Sequence, residues 1–308
     1  MAVTFKDVVT RVEQQLLGYT KDQASVSQLT QPMTPTDTVF SVDPDTVTNL
    51  SRGLVQIGDE MILVKKFDRA SGIVTVMGGL NGRGVLSTTP AAHAADDLVT
   101  DDPRFPKQRI REAINDTILG TYPDLWVFGE FEFPKFAARY EYPIPADAED
   151  VYKVTANTIG PSGVWFPCQS WRFNPVASTT GGQVKPTPTP TGKSIQVYDF
   201  IVPGRNIRVS YTMPPTTLSA DSDLFTSTGY PDRYVDMITY GACYRLLPAY
   251  EAGRLQQQNI EATERAPLVP TGSASDTVKF FFSLYDKRLT EERDRLQRLF
   301  DSYQTFNA

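Results

Sequence analysis

The chain has 308 residues, 36 acidic and 30 basic side chains, a net charge of −6 and 40% hydrophobic residues. That length suggests about two domains and a core that needs no disulfide or metal support, the composition excludes a disordered chain, and the acidic balance excludes phosphate attraction as a main source of affinity. His93 is the only histidine and Cys168 and Cys243 the only cysteines, which excludes a multi-histidine metal site, a cysteine-rich zinc site and a disulfide scaffold.

Residues 4–19 are expected to form a helix. Phe5, Val8, Val9, Val12, Leu16 and Tyr19 recur at helical spacing, and Thr4 with Asp7 makes a capping-box start in which Asp replaces the usual Glu. From about Gln28 to Asp101 the pattern changes to period two. Strands are expected over 38–42, 54–57, 60–67 and 73–77, with Gly78, Gly79, Gly82 and Gly84 forming a mobile loop after the last of them. A second helix comes after Asp101-Asp102-Pro103, with Ile110, Ala113, Ile114, Thr117, Ile118 and Thr121 on one face, and Pro123 stops it soon after Gly120.

Period two returns from Trp126. Strands are expected over 127–133, 139–142, 151–157, 194–200 and 206–213. Residues 174–192 interrupt them as an exposed extended loop, because the run Lys185-Pro186-Thr187-Pro188-Thr189-Pro190 cannot pair as a central strand. A third helix opens near Pro231, carries the stripe Tyr234, Val235, Ile238, Ala242 and Leu246, and is ended or kinked by Pro248. After a polar linker rich in Gln and Pro, a last helix opens at Asp276. Val278, Phe282, Tyr285, Leu289, Leu296, Leu299 and Tyr303 form a heptad seam in it, with Glu292 at one apolar position. Between Asp276 and Tyr303 there are six acidic and six basic residues, so its polar face is laced with opposite signs, as expected of a solvated helix. No apolar run approaches the length of a membrane span, and the first residues lack the basic start and apolar stretch of a signal peptide, so a soluble chain of a reducing compartment is expected.

None of the four helices has an apolar surface broad enough to stand alone. The expected fold is therefore α+β: a four-helix bundle with two antiparallel β insertions, a small β module and a larger β-sandwich-like unit. The expected boundaries are 1–27 (bundle helix), 28–101 (small β module), 102–125 (bundle helix), 126–228 (sandwich-like unit) and 229–308 (two bundle helices and the tail).

Few residues suggest catalysis. Thr191-Gly192-Lys193-Ser194 echoes the end of a phosphate-binding loop, but Thr187 stands where that loop needs glycine, so a plain turn before a strand is expected. Gly78 to Gly84 lacks a following helix that would hold a nucleotide phosphate. His93 near Asp96 and Asp97 is read as a loop histidine bonding locally, since no nucleophile turn accompanies it. Asp96, Asp97, Asp101 and Asp102 lack the spacing of a calcium loop. Cys168 and Cys243 are read as buried small side chains, and Trp126, Phe128, Phe131, Phe133 and Phe136 as a sandwich core. No catalytic residue, cofactor or metal ligand is expected.

Three stretches carry a family resemblance. They are Gln108 to Asn115 with Tyr122-Pro123-Asp124-Leu125-Trp126 after it; Tyr230-Pro231-Asp232-Arg233-Tyr234 leading to Gly241-Ala242-Cys243-Tyr244-Arg245-Leu246-Leu247; and the terminal helix from Lys279 to Phe300. With them the layout resembles the head-to-tail connector (adaptor) proteins of tailed bacteriophages. The segment from Ile57 to Val76, ending in Ala91-Ala92-His93-Ala94, also resembles β modules of phage neck and tail proteins. The resemblance implies a structural virion protein of the neck, assembled in the host cytoplasm. It implies a homo-oligomeric ring, commonly dodecameric, below the portal protein, with a tail or stopper protein on its other side. DNA would pass through without specific binding, no membrane would be involved, and Leu296, Leu299, Phe300, Tyr303 and Phe306 would grip the portal. The acidic balance suits a conduit, because like charge lets phosphate slide. Two other readings stay open: a tail or baseplate component whose β modules bind another protein or a host glycan, and a hydrolase with an atypical site.

Overall fold

The computed structural model describes residues 2–17, 26–45, 50, 52–158, 163–179, 189–261 and 273–300. They fall into two units. One is built on Thr4–Thr117 and Val235–Tyr285; the other on Ile118–Tyr234 with the stretch from Asp286 and the chain's start up to Val3.

The first unit begins with α1 (Phe5–Leu17). Its start is the reciprocal cap expected from Thr4 and Asp7: Thr4 N donates to Asp7 Oδ2 at 2.9 Å, and Asp7 N donates to Thr4 Oγ1 at 3.3 Å. Six strands come next: β1 (Val26–Gln28), β2 (Val39–Ser41), β3 (Gly53–Ile57), β4 (Glu60–Asp68), β5 (Ile73–Val76) and β6 (Leu98–Asp101). They form one antiparallel sheet in the order β1-β6-β3-β4-β5-β2. The two outer strands then meet. Leu29 bridges Val42, Thr30 N donates to Ser41 O at 2.9 Å, and Asp43 N donates to Gln28 O at 3.1 Å. The sheet closes on itself as a small barrel, which removes the unpaired edges an open sheet would expose. Its alternate residues fill the interior: Leu29, Phe40, Val42, Val55, Ile57, Ile62, Val64, Val74, Val76 and Val99 share one buried cluster. β1 and β6 were not expected.

Helices complete this unit. α2 (Lys107–Gly120) buries Ile110, Ala113, Ile114 and Thr117, as its stripe foretells. α1 packs on α3 (Val235–Glu261) through its buried face of Phe5, Val8, Val9 and Val12, and Arg11 lies 3.6 Å from Asp236. α3 is buried on more than one side: Met237, Thr239 and Cys243 join Val235, Ile238, Ala242 and Leu246 in the interior. It continues through Pro248 to Glu261, so Pro248 does not end it, and Gln256 to Gln258 are helical where a linker was expected. Residues 262–272 of that linker lie outside the described residues, as do 180–188 of the proline-rich loop.

The second unit holds seven strands: β7 (Val127–Pro134), β8 (Glu141–Pro143), β9 (Asp150–Asn157), β10 (Trp165–Pro167), β11 (Trp171–Asn174), β12 (Ser194–Val197) and β13 (Asn206–Met213). They make two antiparallel sheets, β10-β9-β13-β7 and β11-β12-β8. Both contribute to one core: Val154, Ala156, Ile207, Val209 and Phe133 from the first sheet, Tyr142, Ile195 and Val197 from the second. Phe133 stacks on Tyr142 with ring centroids 4.4 Å apart. Short β10 and β11 again escaped the sequence pattern. α4 (Ser273–Leu299) runs from the first unit's residues into the second's.

The four-helix bundle expected as the core is not present. Among the described residues the fold is mostly β, with 13 strands in three sheets against four helices. The physical reason is that the period-two segments bury their own apolar faces, inside the barrel and between the paired sheets. The helices are left with local contacts. On α3, Gly241 has no room for a side chain: an added Cβ would lie 2.2 Å from Thr117 Cγ2 of α2 and 3.0 Å from Tyr285 of α4.

Thr117 has no room to yield, because it is fully buried and its hydroxyl is held by Ala113 O at 2.6 Å. Gly241→Ala should gain about 1 kcal/mol of helix propensity and lose more to overpacking, for a net loss of about 1–2 kcal/mol in urea unfolding. Adding Thr117→Ser, which removes the obstructing methyl group, should recover most of it.

Candidate functional site

The end of α4 carries the residues expected to grip a partner. Leu296 is buried in its own fold, whereas Leu299 is 63% exposed. Phe300 lies over Phe128 of β7, with centroids 3.9 Å apart, and edge-on to Tyr152 of β9 at 5.9 Å. Phe128 pairs with Thr212 of β13, whose neighbours Val209 and Tyr211 belong to the core by alternation, so Phe128 and Phe300 sit on the sheet's outer face. The chain thus leaves α4 from a fixed point. Tyr303 and Phe306 lie outside the described residues.

Glu292, the carboxylate in the apolar seam, is buried and accepts from Arg233 Nε at 2.9 Å. Arg293 lies 3.6 Å from Asp124. These pairs hold the last turns of α4 within their own unit, and they explain why a seam position could go to glutamate: a guanidinium meets it there. The seam is kept at Tyr285, Glu292 and Leu296 but not at its ends. Phe281 is buried in place of Phe282, and Phe282 and Leu299 face solvent.

The densest polar cluster lies in the barrel unit. Glu60, at the start of β4, and Arg83 have side chains with no exposure to water. Arg83 donates to both carboxylate oxygens, Nε to Oε1 at 2.6 Å and Nη2 to Oε2 at 2.8 Å. Gly84 N, Ala91 N and His93 Nε2 complete the donors around Glu60, at 3.1, 3.0 and 2.8 Å. Arg83 also donates to the carbonyls of Thr34, Asp37 and Ala91. Burial alone would push the Glu60 carboxyl up; the Arg83 guanidinium, His93 and the Ala91 amide outweigh it and hold it down at about 2. The glycine-rich segment is therefore not the mobile loop expected. Its residues Gly79–Gly82 form a 3-10 turn that delivers Arg83. His93, expected to bond locally, reaches a carboxylate 33 positions away in sequence. A charge-matched pair at Glu60 and Arg83 had no local signal, because neither spacing nor periodicity connects them.

The remaining candidates are accounted for by structure. The thiols of Cys168 and Cys243 are pushed up to about 12, foremost by burial, which suits packing and not nucleophilic attack. Lys193 donates to Ala148 O at 2.8 Å and to Glu149 at 3.0 Å, and the Gly192 turn beside it leads into β12, as the turn-before-strand reading foretells. Among the described residues no group of three His, Cys, Asp or Glu side chains could hold a metal ion, and no helix is long and apolar enough to cross a membrane.

Residues 91–268 match the family model described as SU10 adaptor protein. The match covers more than half of the chain: β6, α2, both sheets of the second unit and α3, with most of the barrel and α4 outside it. No curated protein matches the chain.

The depressed Glu60 carboxyl fixes a sign for acid stability. Its folded value of about 2 lies below the ordinary 4.5, so its contribution is complete above about pH 5.5 and is lost as pH falls toward 2. Glu60→Gln, which leaves Arg83 buried without its counter-charge, should cost on the order of 3 kcal/mol near neutral pH. The gap in melting temperature between variant and parent should narrow steadily from pH 5.5 to 2.5, as measured by circular dichroism.

Proposed function

We propose, because the chain belongs to the SU10 adaptor family of phage structural proteins, that it works in the virion neck as a head-to-tail adaptor. In this reading, copies of the chain close a ring below the portal, DNA passes through its opening, and the free face receives the tail or its stopper. The family match carries the proposal. The net charge of −6 per copy favours it, since a conduit that repels phosphate does not retain its cargo. A structural role without catalysis is further supported by the chemistry of the candidate groups: the thiols are held protonated, and His93 is committed to a buried carboxylate.

The end of the chain from Leu296 is the proposed portal grip, through Leu299, Phe300, Tyr303 and Phe306. Two observations favour it. Leu299 offers an apolar side chain to solvent, and Phe300 pins the end of α4 to the sheet, so that the last eight residues start from a defined place. An anchored segment loses less freedom on docking than a free one.

The test removes residues 301–308 and leaves Phe300 in place. The shortened chain should melt within about two degrees of the parent, because in this reading residues 301–308 serve the portal and not the protomer's own core. It should also fail to bind DNA-filled heads that lack adaptor, while the parent binds them and shows ring-sized masses with portal protein in mass photometry. Normal binding by the shortened chain would move the grip elsewhere.

A further inference from the structure

At the opposite end of β7 from Phe128, two loops of the second unit interlock. Lys135 N donates to Arg205 O and Gly204 N to Lys135 O, both at 2.7 Å, and Val197 N donates to Tyr140 O at 3.0 Å. Phe136 N donates to the hydroxyl of buried Tyr142 at 3.0 Å. Their backbone is thus fixed, yet they project Phe136, Tyr140, Tyr198, Phe200 and Val202 into solvent, Phe200 with 96% of its surface exposed. Single exposed apolar side chains are ordinary; five on two bonded loops make a patch of the kind that marks an interaction site.

The charged side chains of the two loops are mostly positive: Lys135, Arg139 and Arg205 stand against the single acid Asp199. Arg139 and Arg205 donate to the main-chain carbonyls of Glu141 and Thr158, and among the described residues neither forms an ion pair. The one acid in these loops, Asp199, is already engaged by the amides of Gln169 and Ser170. A chain of net charge −6 therefore carries here an aromatic tip with a positive rim.

We infer that this tip docks a tail-side protein whose face is an apolar socket rimmed by carboxylates, with Phe200 as the inserted side chain. The inference rests on the adaptor reading above. From Phe128 to Pro134 the strand spans about 20 Å, so the tip lies well away from Phe300 and the proposed portal grip, toward the end where the next component would join. A rigid backbone presenting an aromatic side chain is the usual make-up of an energetic centre in an interface. A protein fits the tip better than DNA does, because its guanidinium groups are held by carbonyls at the rim and do not line a groove that would track a phosphate backbone.

The test adds purified full-length chain to adaptor-free, DNA-filled heads and then to separately prepared tails, scoring joined particles by electron microscopy. Phe200→Ser should keep the parent's melting temperature, solution mass and head binding, while joining to tails falls roughly tenfold or more. Arg139→Glu with Arg205→Glu should do the same, and joining by the parent should weaken as salt rises. Undiminished tail joining by Phe200→Ser overturns the inference. So does a Phe200→Ser variant that loses its solution mass, which would make a second copy the occupant, or one that loses affinity for a fluorescent DNA duplex bound by the parent. Failure of the parent itself to join heads and tails would instead overturn the adaptor reading, and the docking partner with it.

Discussion

A charged side chain sealed from water has to be matched where it lies, and in this chain that requirement falls on Glu60. An ionised carboxylate only accepts hydrogen bonds, so its surroundings must supply donors from several directions. Here they come from Arg83, Gly84, Ala91 and His93, all outside the strand that bears Glu60. Arg83 in turn needs acceptors, and finds them on Thr34, Asp37 and Ala91. One ion pair thereby fixes three connecting segments that strand pairing alone would leave to solvent. The arrangement favours a single shape for the loops as much as it favours stability, because any other path strands a charge in an apolar interior.

The second constraint is that each strand must bury one face. In the first β unit the sheet meets it by closing, with Leu29 and Val42 joining its ends; in the second, two sheets share Phe133, Tyr142 and their neighbours. These solutions are local to each β segment and leave nothing for a helical core to organise. The helices look alike in sequence, each with an apolar stripe, yet their stripes are answered by different partners: α3 for α1, the outer face of a sheet for the end of α4. A stripe states that a face will be buried, and not against what. That is why the positions of the helices were legible and the bundle built from them was not.

The same distinction governs what the residues disclosed about function. Asn206–Met213 alternates throughout and Glu60–Asp68 opens on the apolar run Met61–Val64, so both could be read directly, whereas the short strands Val26–Gln28 and Trp165–Pro167 were not. The cap of α1 was legible because its partners are three residues apart. Glu60, Arg83 and His93 were not, being joined only by the closed sheet. The exposed loop aromatics were hidden for another reason: Phe136 looked like the end of an alternating core run, and Phe200 like the end of a strand. Only the turns away from the sheets, after Pro134 for Phe136 and after Val197 for Phe200, separate them from the core residues they resemble in sequence.

In the proposed role the chain would meet two different neighbours without letting one contact disturb the other, and the second unit has a build that would serve this. β13 lies between β7 and β9, paired with both along nearly its whole length, and its inward residues Ile207, Val209 and Tyr211 are core. A strand held on both sides cannot slide in register without turning its buried side chains outward. The ring of Phe300 rests near one end of this three-stranded plate, and the bonded loops of Lys135 and Arg205 close the other. Force applied at either end is then carried by a ladder of main-chain hydrogen bonds and a packed core, which have low compressibility, and not by side chains that can swing. Within this unit, a stiff three-stranded plate with aromatic groups at both ends would, in the proposed role, act as a spacer that keeps two contacts a fixed distance apart.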